Sequence, residues 1–212
     1  MLNRYLAFVF LVGGATLTSI PADAADISEI SAQEFFAATY FRNALSHPQL
    51  AAQKSRKRQI RMVARDIRWK PKRLTQAIGK LDALDGDPLA LAKEAVMTAL
   101  NKTRVKGRIL DVIVNADEPK HVVMYVRWRG SRRKNAIKEA ATIAAAVGEA
   151  TPLVSTLSLA AIHPKAPDTS TRSVWQAKIA SSAMTNIRKN RIEDYADRLY
   201  ARLFEDLKAF PF

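Results

Sequence analysis

The sequence predicts an α+β protein. A helical N-terminal part leads into a four-stranded antiparallel sheet, built as strand-strand-helix twice, with helices on one face. Three observations lead there. Up to about Leu100, apolar residues recur at helical spacing between capping residues. From Leu110 the period switches to two, with Leu110, Val112 and Val114 alternating against Asp111, Ile113 and Asn115. Two segments, 104–149 and 153–208, then share one element order without a residue-level repeat. The 212 residues are 48% hydrophobic and 25% charged, enough to bury a core. That balance excludes collagen, a long coiled coil and a multispanning membrane protein. With no cysteine, disulfides, thiolate metal sites, a thiol nucleophile and a lipid-modified N-terminal cysteine are excluded as well.

Residues 1–24 read as a secretory signal peptide. Arg4 supplies the basic start, Tyr5 to Leu17 the apolar run, Pro21 the helix break, and Ala22-Asp23-Ala24 the small-x-small site. Cleavage is expected before Ala25, giving a periplasmic or secreted product. An uncleaved anchor is the competing reading. Removing residues 1–24 deletes one base (Arg4) and one acid (Asp23), so the net charge of +14 is unchanged. Residues 25–86 form the helical region and 87–212 the sheet domain.

Ser31-Ala32-Gln33-Glu34 is a capping box opening a helix with Phe35, Phe36, Tyr40 and Phe41, which ends before Pro48. A second helix is expected over 49–67, with Ile60, Val63 and Ile67 on one face, and a third from Pro71 to about Leu84, closed by Gly86. Asp87-Pro88 starts a fourth, running to Leu100. Strands follow at 109–114 and 122–129 around a turn at 116–120 containing Pro119. Ser131 is expected to cap an Ala-rich helix ending at Gly148. A third strand covers 153–162, a loop 164–172 and a fourth strand 173–181. A long C-terminal helix then carries Ile187, Ile192, Tyr195, Leu199, Leu203, Phe204 and Leu207 as its stripe.

The helix end Val96-Met97-Thr98-Ala99-Leu100 and the strand pair Ile109–Val114 and Val122–Trp128 precede Gly130-Ser131. The Ala-rich helix with Ala140, Ala144 and Val147 and the strand Leu153–Leu159 follow. Together these resemble the BON domain of bacterial envelope proteins. The resemblance covers residues 89–162 and implies an exported protein that contacts phospholipid or envelope polymers. The sequence departs from the family at Glu118-Pro119-Lys120 and at Glu149-Ala150-Thr151-Pro152, so no functional residues carry over.

The charge is localised. Between Lys54 and Arg73 there are ten basic residues and one acid, Asp66, leaving +9. Lys54, Arg58, Arg61, Arg65 and Arg68 are spaced four, three, four and three, one stripe on a helix, with Trp69 just beyond. The function expected is non-enzymatic binding of an anionic envelope component (phospholipid, lipopolysaccharide or acidic polymer) through Lys54, Arg58, Arg61, Arg65, Arg68 and Trp69. A solvated face that only aids solubility is the plainer reading of such a run. An assembly factor using the aromatic helix 32–45 or the open sheet face to meet an acidic protein partner is a second functional class. Residues 57–82 also loosely match a helix-turn-helix, which would meet nucleic acid.

Nothing local points to catalysis. His47, His121 and His163 lack metal-ligand spacing, no nucleophile elbow or Ser-x-x-Lys occurs, and the glycines are too scattered for a phosphate loop. No enzyme and no cofactor is therefore expected. Glu139 beside Lys138, and the acids 193–206 among Arg188, Arg191, Arg198 and Arg202, read as exposed helix ion pairs. Phe210 and Phe212 read as packing or frayed ends.

Overall fold

A computed structural model describes residues 26–118, 121–187, 192 and 201–210. The expected signal segment, the turn at Pro119-Lys120, Tyr195, Leu199, the charges 188–191 and 193–200, and Phe212 lie outside the described residues. Helices α1 (Ala32–Ala44), α2 (Pro48–Ala51), α3 (Arg56–Asp66), α4 (Pro71–Asp82) and α5 (Pro88–Leu100) come first. Then follow β1 (Ile109–Glu118), β2 (His121–Arg129), α6 (Ala136–Ala150), β3 (Thr156–Ile162), β4 (Ser173–Ala180), α7 (Ser181–Met184) and β5 (Glu205–Ala209). The architecture is α+β.

Two of the capping signals, at Ser31 and Asp87, act where the sequence puts them. Ser31 Oγ accepts from the Glu34 amide at 3.3 Å while Glu34 Oε2 accepts from the Ser31 amide at 3.0 Å. Asp87 Oδ2 accepts from the Ala90 amide at 2.9 Å, with Pro88 at the first helical position.

The sheet differs from the expectation. It has five strands in the order β1-β2-β3-β4-β5 and is mixed, not four-stranded antiparallel. β1/β2, β3/β4 and β4/β5 pair antiparallel, but β2 and β3 run parallel, with Val126 opposite Leu159. The cause is α6. A helix of 15 residues carries the chain back along the sheet, so the next strand enters from the end where β2 began. The fifth strand lies inside the segment expected to be helical. Leu203 and Leu207 are spaced as on a helix, yet Glu205–Ala209 pairs along the β4 edge, through Trp175, Gln176 and Lys178. Four or five residues cannot distinguish the two periods. Among the described residues, β4 is followed directly by α7, four residues long, and Ala201, shortly before β5, is helical.

Two more expectations are corrected around α6. Ser131 does not cap it: a 3-10 turn at Arg133–Asn135 intervenes, and the Ser131 hydroxyl donates to Glu139 instead. Gly148 lies inside the helix rather than ending it. A Cβ there would meet the Met184 Cβ at 3.0 Å, so the missing side chain lets α7 pack closely.

One sheet face carries Val112, Met124, Val126, Trp128, Leu157, Leu159, Ala161, Ala177 and Ile179 into a core with Val96 and Leu100 of α5 and the alanines of α6. A second core holds Phe35, Phe41, Leu50, Val63, Ala64, Leu74, Ile78 and Leu81 of the N-terminal helices, and it reaches the sheet at Val122, with Leu153 of the turn before β3 beside it. α5 serves both, through Ala92 on one side and Val96 and Leu100 on the other. The opposite sheet face is open. Ile113 and Tyr125 stand exposed there, side by side in register.

Glu139 is not a surface ion-pair partner. It is 3% exposed and accepts from Arg108 Nη1 at 2.7 Å, Trp128 Nε1 at 2.9 Å and the Ser131 hydroxyl. Truncating it would leave the Trp128 indole N–H without its acceptor and the Arg108 guanidinium without its counter-charge, held by the Arg104 and Arg129 carbonyls alone. We expect Glu139→Ala to cost about 3 kcal/mol in urea unfolding and Glu139→Gln distinctly less; equal, small losses would show that the network holds nothing together.

Glu34 supplies a pH signature. Burial raises its carboxyl, but the backbone N–H and hydroxyl of Ser31 and the Lys80 ammonium outweigh burial and hold the pKa below the ordinary glutamate value. The folded state is then the stronger acid. This contribution is complete above the unfolded value and is lost as pH falls through the folded one. Melting temperatures between about pH 5 and pH 3 should fall more steeply for the native sequence than for Glu34→Gln.

Candidate anion-binding surface

α3 turns one face inward and leaves the other cationic. Val63 and Ala64 are buried, and Ile60, Met62 and Ile67 are partly so. Arg58, Arg61 and Arg65 lie on the outer side and are all exposed. Gln59 braces the start of the helix: its amide nitrogen donates to the Leu50 and Gln53 carbonyls at 3.1 and 3.0 Å.

The expected single helix over 49–67 is broken. Leu50 is buried in the helical core, and the chain turns after it before α3 sets out from Ser55. Lys54 therefore sits in the connection and leaves the stripe, though it is exposed. Arg68 leaves it too. It follows the helix at φ 57°, in the left-handed region. The Arg68 amide donates to the Arg65 carbonyl at 3.1 Å and the Trp69 amide to the Ala64 carbonyl at 2.7 Å, a Schellman end in which arginine occupies the glycine position. Of the five stripe residues, the structure aligns Arg58, Arg61 and Arg65 along α3 and sets Lys54 and Arg68 at its two ends.

The distribution of counter-charges gives this face its character. Arg56 reaches Asp82 at 3.6 Å and lies 5.7 Å from the centre of the Phe41 ring. Arg42 holds the same Asp82 at 2.7 Å. Among the described residues, Lys54, Lys57, Arg58, Arg61, Arg65, Arg68, Lys70 and Lys72 make no ion pair. The arginines of the sheet are in the opposite situation. Arg127 pairs with Asp111 and donates to the Ser170 carbonyl, while Arg129 binds Asp168 and the Pro164 and Ala166 carbonyls, so both pin the loop 163–172.

Trp69 is half-buried, not a free indole. The Arg73 guanidinium lies 3.9 Å from its ring centre, and Arg73 Nη2 donates to Gln33 Oε1 at 3.1 Å. Sequence reasoning counted Arg73 as charge and missed the stack; the four-residue spacing from Trp69 was its available signal. Phe35 and Phe41 are buried, and Tyr40 is the exposed ring.

Elsewhere, a groove of about 550 Å³ runs between α5 and α6, lined by Thr98, Lys102, Thr142 and Glu149 among others. No side-chain polar atom is buried without a partner among the described residues, and no His, Asp and Glu cluster there could hold a metal. No described helix is long and apolar enough to cross a membrane.

The left-handed Arg68 gives a test of the turn. Arg68→Gly should stabilise the protein by about 1 kcal/mol by relieving the Cβ strain, and Arg68→Val should destabilise it by a similar amount; chemical denaturation of both variants measures this. In comparison with known proteins, no protein-family model matches the chain, and neither a curated protein nor a solved structure does.

Proposed function

We propose that the protein is exported through its N-terminal segment and binds an anionic component of the cell envelope, phospholipid headgroups first among them, through the outer face of α3 and the turn to α4. The observation carrying this reading is that Lys54, Lys57, Arg58, Arg61, Arg65, Arg68, Lys70 and Lys72 are exposed and make no ion pair among the described residues, Arg56 alone in that span reaching an acid, Asp82. A face that merely aided solubility would be expected to mix signs. Each such cation near an anionic lipid surface contributes about 1 kcal/mol, so three on α3 with their flanking charges are sufficient for salt-sensitive adsorption. The order helix, strand, strand, helix, strand over Pro88–Ile162 supports the BON resemblance, and with it an envelope role.

One observation favours a second reading. α3, a short turn and α4 form a helix-turn-helix sequence of elements, and Lys72, Arg73, Thr75 and Gln76 are exposed on the first turns of α4. On that reading the phosphates belong to duplex DNA. The version using the aromatic helix for a protein partner is weakened by the burial of Phe35 and Phe41.

Co-sedimentation with phosphatidylglycerol/phosphatidylcholine vesicles tests the proposal. The full chain should bind at low salt and be released as salt rises. Combining Arg58→Glu, Arg61→Glu and Arg65→Glu should weaken binding at least about tenfold, since each reversal both removes an attraction and adds a repulsion. Undiminished binding by the triple variant sinks the assignment to α3. Tighter binding to duplex DNA than to vesicles at equal ionic strength moves it to the second reading.

A further inference from the structure

Within the basic face, Arg73 differs from the other cations. Its guanidinium is stacked 3.9 Å from the centre of the Trp69 ring and tethered to Gln33 at 3.1 Å. The stack is itself anchored. The Trp69 amide closes the end of α3 on Ala64, and the ring packs against the helical core. Pro71 begins α4 between the two residues, so Trp69 and Arg73 are held across one ordered turn. Arg73 nevertheless remains exposed.

A guanidinium laid on an indole uses its π face there and keeps its in-plane N–H donors for other groups. Gln33 takes one of the five donors and leaves the other four on an exposed side chain held by the stack and the tether. We propose that Arg73, stacked on Trp69 and tethered to Gln33, is a pre-oriented receptor for phosphate groups. This rests on the anionic-surface reading above and adds a specific contact to it. Arg58, Arg61 and Arg65 bring charge without a fixed fork. Arg73 brings a fork whose side-chain ordering is already met before the ligand arrives. Arg68, Lys70 and Lys72 lie within five residues of it and are exposed. Four cations in six residues suit an oxyanion with three available oxygens better than a planar carboxylate.

The decisive substitution conserves charge. A lysine at 73 keeps the positive charge but can neither stack flat on an indole nor offer two parallel donors. Phosphatidylcholine vesicles carrying phosphatidic acid serve as probe, with vesicles carrying a fatty-acid carboxylate at matched zeta potential as control. The full chain is used throughout, so residues 1–24 contribute equally to every variant. Arg73→Lys should weaken binding to phosphatidic acid about tenfold, the scale of one lost charge-assisted hydrogen bond. Arg61→Lys should stay within about twofold, because charge alone matters there. Trp69→Phe, which keeps a ring but a weaker stack, should fall between the two.

Trp128 and Trp175 are buried, so acrylamide quenching reports on Trp69. It should rise in Arg73→Lys while the melting temperature holds, showing a folded protein with an unstacked indole. Inorganic phosphate, against chloride at equal ionic strength, separates the sources: displacement assigns a free phosphate, retention assigns a lipid headgroup, and both support the site. Equal effects of Arg73→Lys and Arg61→Lys overturn the proposal, as does equal binding to phosphate and carboxylate vesicles. In both cases the broader envelope reading still stands. Failure of the unaltered chain to bind any anionic vesicle at low salt would instead remove that broader reading.

Discussion

The carboxylate of Glu139 ties the layers of the sheet domain together. Removing such a group from water costs several kcal/mol unless its oxygens are fully engaged. Here Arg108 reaches it from the connection before β1, Trp128 from β2, and Ser131 from the start of the crossover. The carboxylate therefore joins helix, strand and loop at the position where the chain leaves the sheet for α6. The rest of α6 is mostly alanine on its buried faces, which lets the helix lie close to the strands. Trp128, whose indole N–H is fixed by Glu139, packs edge-on to Trp175 at 5.8 Å, and Trp175 does the same to Phe204 at 5.5 Å. The aromatic row extends from the crossover to the residue that precedes the edge strand β5.

The N-terminal helices use this domain as a base. α5 lies in both cores, and the α1, α3 and α4 cluster reaches the sheet around Val122 of β2 and Val114 and Ala116 of β1, with Leu153 just ahead of β3. α3 spends its inner side on Val63 and Ala64 and leaves three arginines outward. Arginine thus does two different jobs in one molecule. In the sheet domain Asp111, Asp168 and Glu139 lie within reach, so Arg127, Arg129 and Arg108 act as internal struts. On α3 the nearest acid used is Asp82, and it is occupied by Arg42 and Arg56. The placement of the acids, more than the count of the bases, makes one surface cationic.

Much of the fold was legible because it depends on short-range rules. Ser31 with Glu34, and Asp87 with Pro88, satisfy free backbone donors within a single turn, and the alternation along β2 returns as alternate burial. The basic character of α3 was equally plain. Its detailed form was not. Whether a cation lies on the stripe depends on whether the helix is continuous, and continuity failed where Leu50 turned into the core.

The sequence by itself determined the fold class, the starts of α1, α4 and α5, the strands of the first hairpin and the concentration of positive charge, since all of these arise from residues a few positions apart. The tertiary structure decided the parallel pairing of β3, the strand at 205–209, the burial of Glu139 and the stacking of Arg73. The first three depend on partners a few to about 35 residues away in the chain, such as Arg108 for Glu139 and Trp175 for Ala209. Local periodicity carries no information about which distant group will arrive. The stack was within reach of local spacing, but only the fixed turn between α3 and α4 turns a four-residue spacing into a contact.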